Sequence, residues 1–287
     1  MTDEKLEVIT ADGVAHDLDT CTTRGVQDIQ GLFTVPEKRG ENLVIAGEHG
    51  RMHVVSKKHD AHIIVLGLWV RGVLPDGTLP EAGYAQFVEN LRELVGWFTT
   101  DEMITLRHTV DGDAREITGE VLRVIEPELS GYGRYRSAQV KIVIECAAPF
   151  WADVEPVTQT VTLPTLGTAT LTNFAGATAP MEDLFIEFGQ ANNPRLSQVS
   201  TGVFVKLNRV ITAGQTITVD TADWEVYGSP GVAGGLYEDL EYGGQHTNRW
   251  FALLPEPGGG APVVQLQHTG GGTASVTVTG KRKYKIA

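Results

Sequence analysis

At 287 residues the chain is long enough for two domains of ordinary size. Hydrophobic residues make up 41% and charged residues 21%, and no apolar run nears the ~20 residues of a membrane span, so no membrane anchor is expected. The net charge of -13 disfavours binding nucleic acid through phosphate neutralisation, although an acidic wall would let DNA pass by like-charge repulsion.

The first residues, Met1 to Lys5, are polar and acidic where a secretory signal has a basic end and a greasy stretch, so export is not expected. The two cysteines, Cys21 and Cys146, lie far apart without C-x-x-C spacing, which fits buried free thiols in a reducing compartment better than the alternative, a single disulfide between them. Glycine, at 33 residues, punctuates short segments rich in Val, Ile, Thr and aromatics, the pattern of strands joined by turns.

One segment breaks that pattern. Between 81 and 99, Tyr84, Phe87, Val88, Leu91, Leu94, Val95 and Phe98 fall on the i, i+3, i+4, i+7 stripe of an amphipathic helix, with Pro80 near its first turn. Its polar face holds Glu89, Arg92 and Glu93 and lacks the basic excess of a membrane-surface helix, so it should cover one opening of a β-structure. The Asp111-Gly112 step predicts a tight hairpin, because both residues tolerate positive φ.

Alternation at 140–146, 217–220 and 275–279 predicts half-buried strands. A boundary is expected near Phe150, where a strand pattern ends at Pro149 and composition shifts to Thr, Gly and Pro. The expected domains are thus 1–150, mainly β with one helix, and 151–287, an antiparallel sandwich with glycine loops.

Recognisable catalytic motifs are absent: there is no G-x-S-x-G, no P-loop, no G-x-G-x-x-G and no H-E-x-x-H. His49 and His53 would share a helical face, but their region reads as loop and strand; His59, Asp60 and His62 cluster nearby. Asp17, Asp19 and Asp28, and the Glu238 to Glu241 run, lack the alternating spacing of a calcium loop and read as solvated turns. No enzyme activity, metal or cofactor is expected. The basic run from Lys281 to Lys285 reads as an edge-protecting strand end or a contact with an acidic neighbour. Trp151, Trp224 and Trp250 are of the type that stacks on sugars, although tryptophans in sandwiches more often fill cores or interfaces.

The run GLFTVPEKRGENLVIAGEHG at 31–50, followed by IIVLGLWVRG at 63–72, resembles the N-terminal signature of the distal tail proteins of long-tailed bacteriophages. Farther on, NPRLSQV at 193–199, VITAGQTITVDT at 210–221 and RWFALLP at 249–255 resemble, in order, that family's second domain. The resemblance implies a β-sandwich or split-barrel domain with one helix, followed by a galectin-like β-sandwich that serves for docking. It further implies a homo-hexameric ring at the distal end of the tail tube, assembled in the host cytoplasm. Such a ring joins the tail tube protein to the tail-tip hub and fibres, and the tape-measure protein and DNA pass through its lumen. On this reading the 31–50 segment and the 111–112 hairpin, represented by Pro36, Arg39, Asn42, Asp111 and Gly112, are expected at subunit contacts. A competing expectation is a carbohydrate-binding receptor module presenting Trp224 and Trp250.

Overall fold

Amphipathic periodicity at 81–99 becomes a shorter helix whose buried stripe differs from the apolar one. In the computed structural model, which describes residues 4–39, 58–232, 234–244 and 251–287, α1 spans Gly83–Gly96 and buries Gly83, Phe87, Asn90 and Leu94. Pro80 therefore precedes the helix, and Tyr84, expected on the buried stripe, is 56% exposed. The first residue of α1 is held to glycine by close approach: a Cβ on Gly83 would lie 2.7 Å from the Arg134 carbonyl oxygen, in the short 3-10 turn Gly133–Tyr135. Trp97 and Phe98, past the last helical residue, are buried.

Contacts divide the chain into one unit of Met1–Ala152 plus Lys285–Ala287, and a second of Asp153–Tyr284. The first contains β1 (Glu4–Ile9), β2 (Ala15–Asp17), β3 (Arg24–Gln30), β4 (His62–Arg71), β5 (Ile104–Val110), β6 (Asp113–Ser130) and β7 (Ser137–Cys146), in the antiparallel order β2-β1-β5-β6-β7-β4-β3. β6 organises this arrangement. Its first part, through Gly119, pairs with β5, and its remainder, from Glu120, pairs with β7. That second part is interrupted by two register shifts, one at Leu122 and one at Glu126 and Pro127. Pro127 has no N–H to give a ladder, and a bulge is where a sheet tolerates that loss. Inward residues from both stretches, among them Leu6, Val8, Leu106, Ile117, Leu66, Leu68, Val140 and Ile142, are buried together with Phe87 and Leu94 of α1.

After β8 (Trp151–Asp153), the second unit contains β9 (Val157–Pro164), β10 (Gly167–Thr170), β11 (Leu184–Phe188), β12 (Ala191–Gln198), β13 (Phe204–Leu207), β14 (Val210–Ile211), β15 (Ile217–Asp220), β16 (Glu225–Gly228), β17 (Leu240–Gly243), β18 (Val263–Thr269), β19 (Thr273–Gly280) and β20 (Lys283–Tyr284). One sheet runs β10-β18-β12-β13-β17, with β14 on β12, and the other runs β16-β15-β11-β19-β9. Strict alternation puts Leu196, Val205, Leu266 and Val264 of one sheet, and Ile186, Val219, Val276 and Val278 of the other, in a single apolar core. Pro194 sits inside β12 at a register shift between Asn192 and Arg195, where Asn193 adopts φ 51°. The chain is thus mainly β, with antiparallel sheets in both units and α1 as the one α-helix of the described residues.

Candidate interaction surface

Of the expected contact residues in the 31–50 segment, Asn42 lies outside the described residues, as do His49 and His53. The others have defined places. Pro36 is buried, and its carbonyl oxygen lies 2.7 Å from His59 Nδ1. Arg39 is exposed; its backbone N–H donates to the Lys58 carbonyl at 2.7 Å, and its Nε donates to Asp60 Oδ1 at 3.0 Å. An antiparallel bridge between Lys38 and His59 joins these short stretches. His59 thereby serves backbone geometry, its ring also meeting Phe150 edge-on at 5.2 Å. His62 is buried between two main-chain carbonyls, with Nε2 2.6 Å from Gly31 O and Nδ1 3.1 Å from Pro149 O. Among the described residues no group of His, Cys, Asp and Glu has the geometry to hold a metal ion.

Asp111 and Gly112 form the β5–β6 turn with φ 51° and 86°, the paired positive values of a two-residue hairpin closed by Val110 and Asp113. This turn and the 31–39 segment meet at one surface cavity of about 490 Å³, walled by Phe33, Val110, His108, Glu4, Asp113 and Arg115. Phe33 is 61% exposed and packs edge-on against the buried His108 ring at 5.8 Å. His108 Nε2 lies 2.9 Å from Glu4 Oε1, and Arg115 pairs with Asp113 at 3.1 Å. Sequence reasoning singled out the turn and the segment separately; Glu4 and His108, which β1–β5 pairing brings to the same place, carry no local signal of it.

At the opposite end of β6 a second surface appears that the sequence reading passed over. Leu122, Ile125 and Leu129 are exposed along the strand, and Tyr132 and Tyr135 follow it at 87% and 64% exposure. The 130–137 stretch, SGYGRYRS, interleaves two tyrosines with Arg134 and Arg136 and contains no acidic residue. That interleaving between two strands was the available signal.

In the second unit Trp224 is half-buried at φ 57°, packed against the core and Tyr242 with ring centroids 4.7 Å apart. Trp250 lies outside the described residues. Trp151 is fully buried, which removes it from any sugar-facing surface. Two cations of the basic 281–285 run are paired within the second unit: Arg282 Nε donates to Asp153 Oδ2 at 2.6 Å, and Lys283 Nζ to Asp183. The acidic stretches are turn and pairing groups. Asp17 and Asp19 accept from the N–H groups of Asp19 and Cys21, while Asp239 pairs with Arg209 at 3.1 Å. Glu241 is held below its ordinary value by hydrogen bonds from Lys206 and Asn208. Cys146 is buried as expected, but Cys21 is exposed, in the left-handed region and on a turn capped by Asp19, and both are free thiols.

No protein-family model matches the chain, and no curated protein does. Solved structures do. A crystal structure of SPP1 Dit (gp 19.1), described as a paradigm of the hub adsorption apparatus in phages infecting Gram-positive hosts, superposes with TM-score 0.59 at 16% identity, over 97% of this chain and 99% of that one. Two structures of the phage p2 baseplate in its activated conformation, with strontium and with calcium, align over 99% of this chain and 100% of theirs, at 12% and 11% identity and TM-scores of 0.44 and 0.43. No helix among the described residues is long and apolar enough to cross a membrane. The chain has the mainly β fold of SPP1 Dit.

Proposed function

We propose that this chain is a non-enzymatic structural protein of a phage tail tip, six copies of which close a ring at the distal end of the tail tube. The ring joins tail tube protein to tail-tip hub and fibres and leaves a channel for DNA and the tape-measure protein. The observation that carries this reading is the end-to-end fold match to SPP1 Dit, which spans both units of the chain and leaves almost no residue of either protein unmatched. The first unit is assigned the ring and the second, galectin-like, the docking of neighbouring tail proteins. Two features support the assignment, one of the first unit and one of the whole chain. β3 and β2 end the strand order, and among the described strands each pairs along one edge only. The net charge of -13 suits a wall past which DNA slides.

Native mass spectrometry of the purified chain, with negative-stain imaging, tests the reading. A sixfold mass and annular particles are expected. A monomer at every concentration, in the presence and absence of tail tube protein, would overturn it.

A further inference from the structure

We propose that the cavity beside the Asp111-Gly112 turn receives the Tyr132–Arg136 tip of a second copy of this chain. The inference rests on the assembly reading and names one of its contacts. Cavity and tip occupy opposite ends of one strand: Val110 and Asp113 flank the start of β6, and the tip follows Ser130 at its end. Two different patches at two ends of an element make a heterologous contact, which repeats from copy to copy and closes when the rotation between copies divides a full turn.

The tip has the composition of an interface anchor. Tyrosine and arginine are the types enriched at the buried centres of protein contacts. Tyr132 and Tyr135 are exposed here, and the Arg134 and Arg136 guanidinium groups lie over Tyr135 and Tyr132 at 5.1 and 6.0 Å from the ring centres. Neither arginine forms an ion pair among the described residues, and Arg136 Nε is buried without a hydrogen-bond partner. The cavity offers the complement. Phe33 and Val110 give it an apolar wall, Glu4 and Asp113 stand in its lining, and Asp111 sits on the adjoining turn. With Arg115 counted, the charged groups of that end sum to net acidic, against a tip that carries only cations.

Charge selects the occupant. Copies of a chain with net charge -13 repel one another, so association needs a local patch of opposite sign, and the tip is such a patch. A nucleic-acid backbone would also attract the arginines, but it would leave the Phe33 and Val110 wall unfilled.

Paired cysteines placed in the full-length chain give the test. In a Cys21→Ser background, Tyr132→Cys combined with Val110→Cys should yield a covalent ladder of copies under mild oxidation, and each single variant should yield none. Separately, Arg134→Glu with Arg136→Glu should raise the concentration for half-assembly about tenfold. Adding Glu4→Lys and Asp113→Lys should restore it, and circular dichroism checks that each variant is folded. A sixfold mass without the ladder would overturn this contact and leave the ring reading standing. A strict monomer would overturn both. Duplex DNA bound by the unmodified chain and lost with the arginine pair, with no ladder formed, would overturn the contact in favour of a nucleic acid.

Discussion

Asn90 stands where a helix pattern calls for an apolar side chain. It is 6% exposed, and its Nδ2 donates to the Arg71 and Val73 carbonyls at 2.8 and 2.9 Å while its Oδ1 accepts from Gln86 at 3.0 Å. Those carbonyls lie at the last residue of β4 and two residues beyond it, and one buried amide bonds both. Asn90→Ala is expected to cost about 2 kcal/mol in the first unit, read as an earlier urea transition followed by tryptophan fluorescence. The cysteines contrast at the same scale. Burial pushes the Cys146 thiol up to about 12, and a hydrogen bond to Asp19 raises that of exposed Cys21. At pH 8 one thiol per chain, Cys21, should react with an aromatic disulfide reagent, and the second only after denaturation. Because the folded value of Cys146 lies above the ordinary 9.0, its contribution to stability is present below pH 9 and is lost as pH climbs toward 12.

Among the elements, α1 and the β5–β6 hairpin show how glycine acts for different reasons. Gly72 lets β4 meet the helix: a Cβ there would lie 2.1 Å from Gly83 O and 2.9 Å from Phe87 Cβ, backbone and core that cannot yield. Gly72→Ala is therefore expected to cost about 3 kcal/mol or to displace α1, visible as a lower melting temperature. Gly112 faces open space, and only its φ of 86° opposes a side chain. Gly112→Ala should cost about 1 kcal/mol in the same melt and leave the hairpin register intact. β6 is an element of another kind, since a single strand serves two neighbours in turn and carries contact candidates at both ends.

For the whole molecule, the chain leaves the first unit after Ala152 and returns to it at Lys285. Entry and exit of the second unit are tied to each other: the Asp153 N–H donates to the Arg282 carbonyl at 3.1 Å, and the Asp153 carboxylate, 6% exposed, accepts from Arg282 Nε at 2.6 Å and Tyr284 Oη at 2.9 Å. Arg282→Ala would leave a buried carboxylate without its ion-pair partner, with an expected loss of about 3 kcal/mol in the unfolding of the second unit.

Period and turn chemistry made much of this fold legible, because alternation and the Asp-Gly step depend only on neighbours along the chain. The strands at 217–220 and 140–146, the hairpin at 111–112 and the existence of α1 followed from them. What tertiary structure alone decided depends on residues far apart in sequence. Gly83 has no room for a side chain because Arg134 lies against it, and the buried Asn90 bonds the carbonyls of Arg71 and Val73. Glu4, Phe33, His108 and Asp113 share one cavity only through strand pairing across the first unit. The last three residues rejoin the first unit, though the composition change near Phe150 gives no hint of a return. Local periodicity specifies elements; which distant surfaces those elements bring together is set by packing, and packing is where the candidate interaction surface is made.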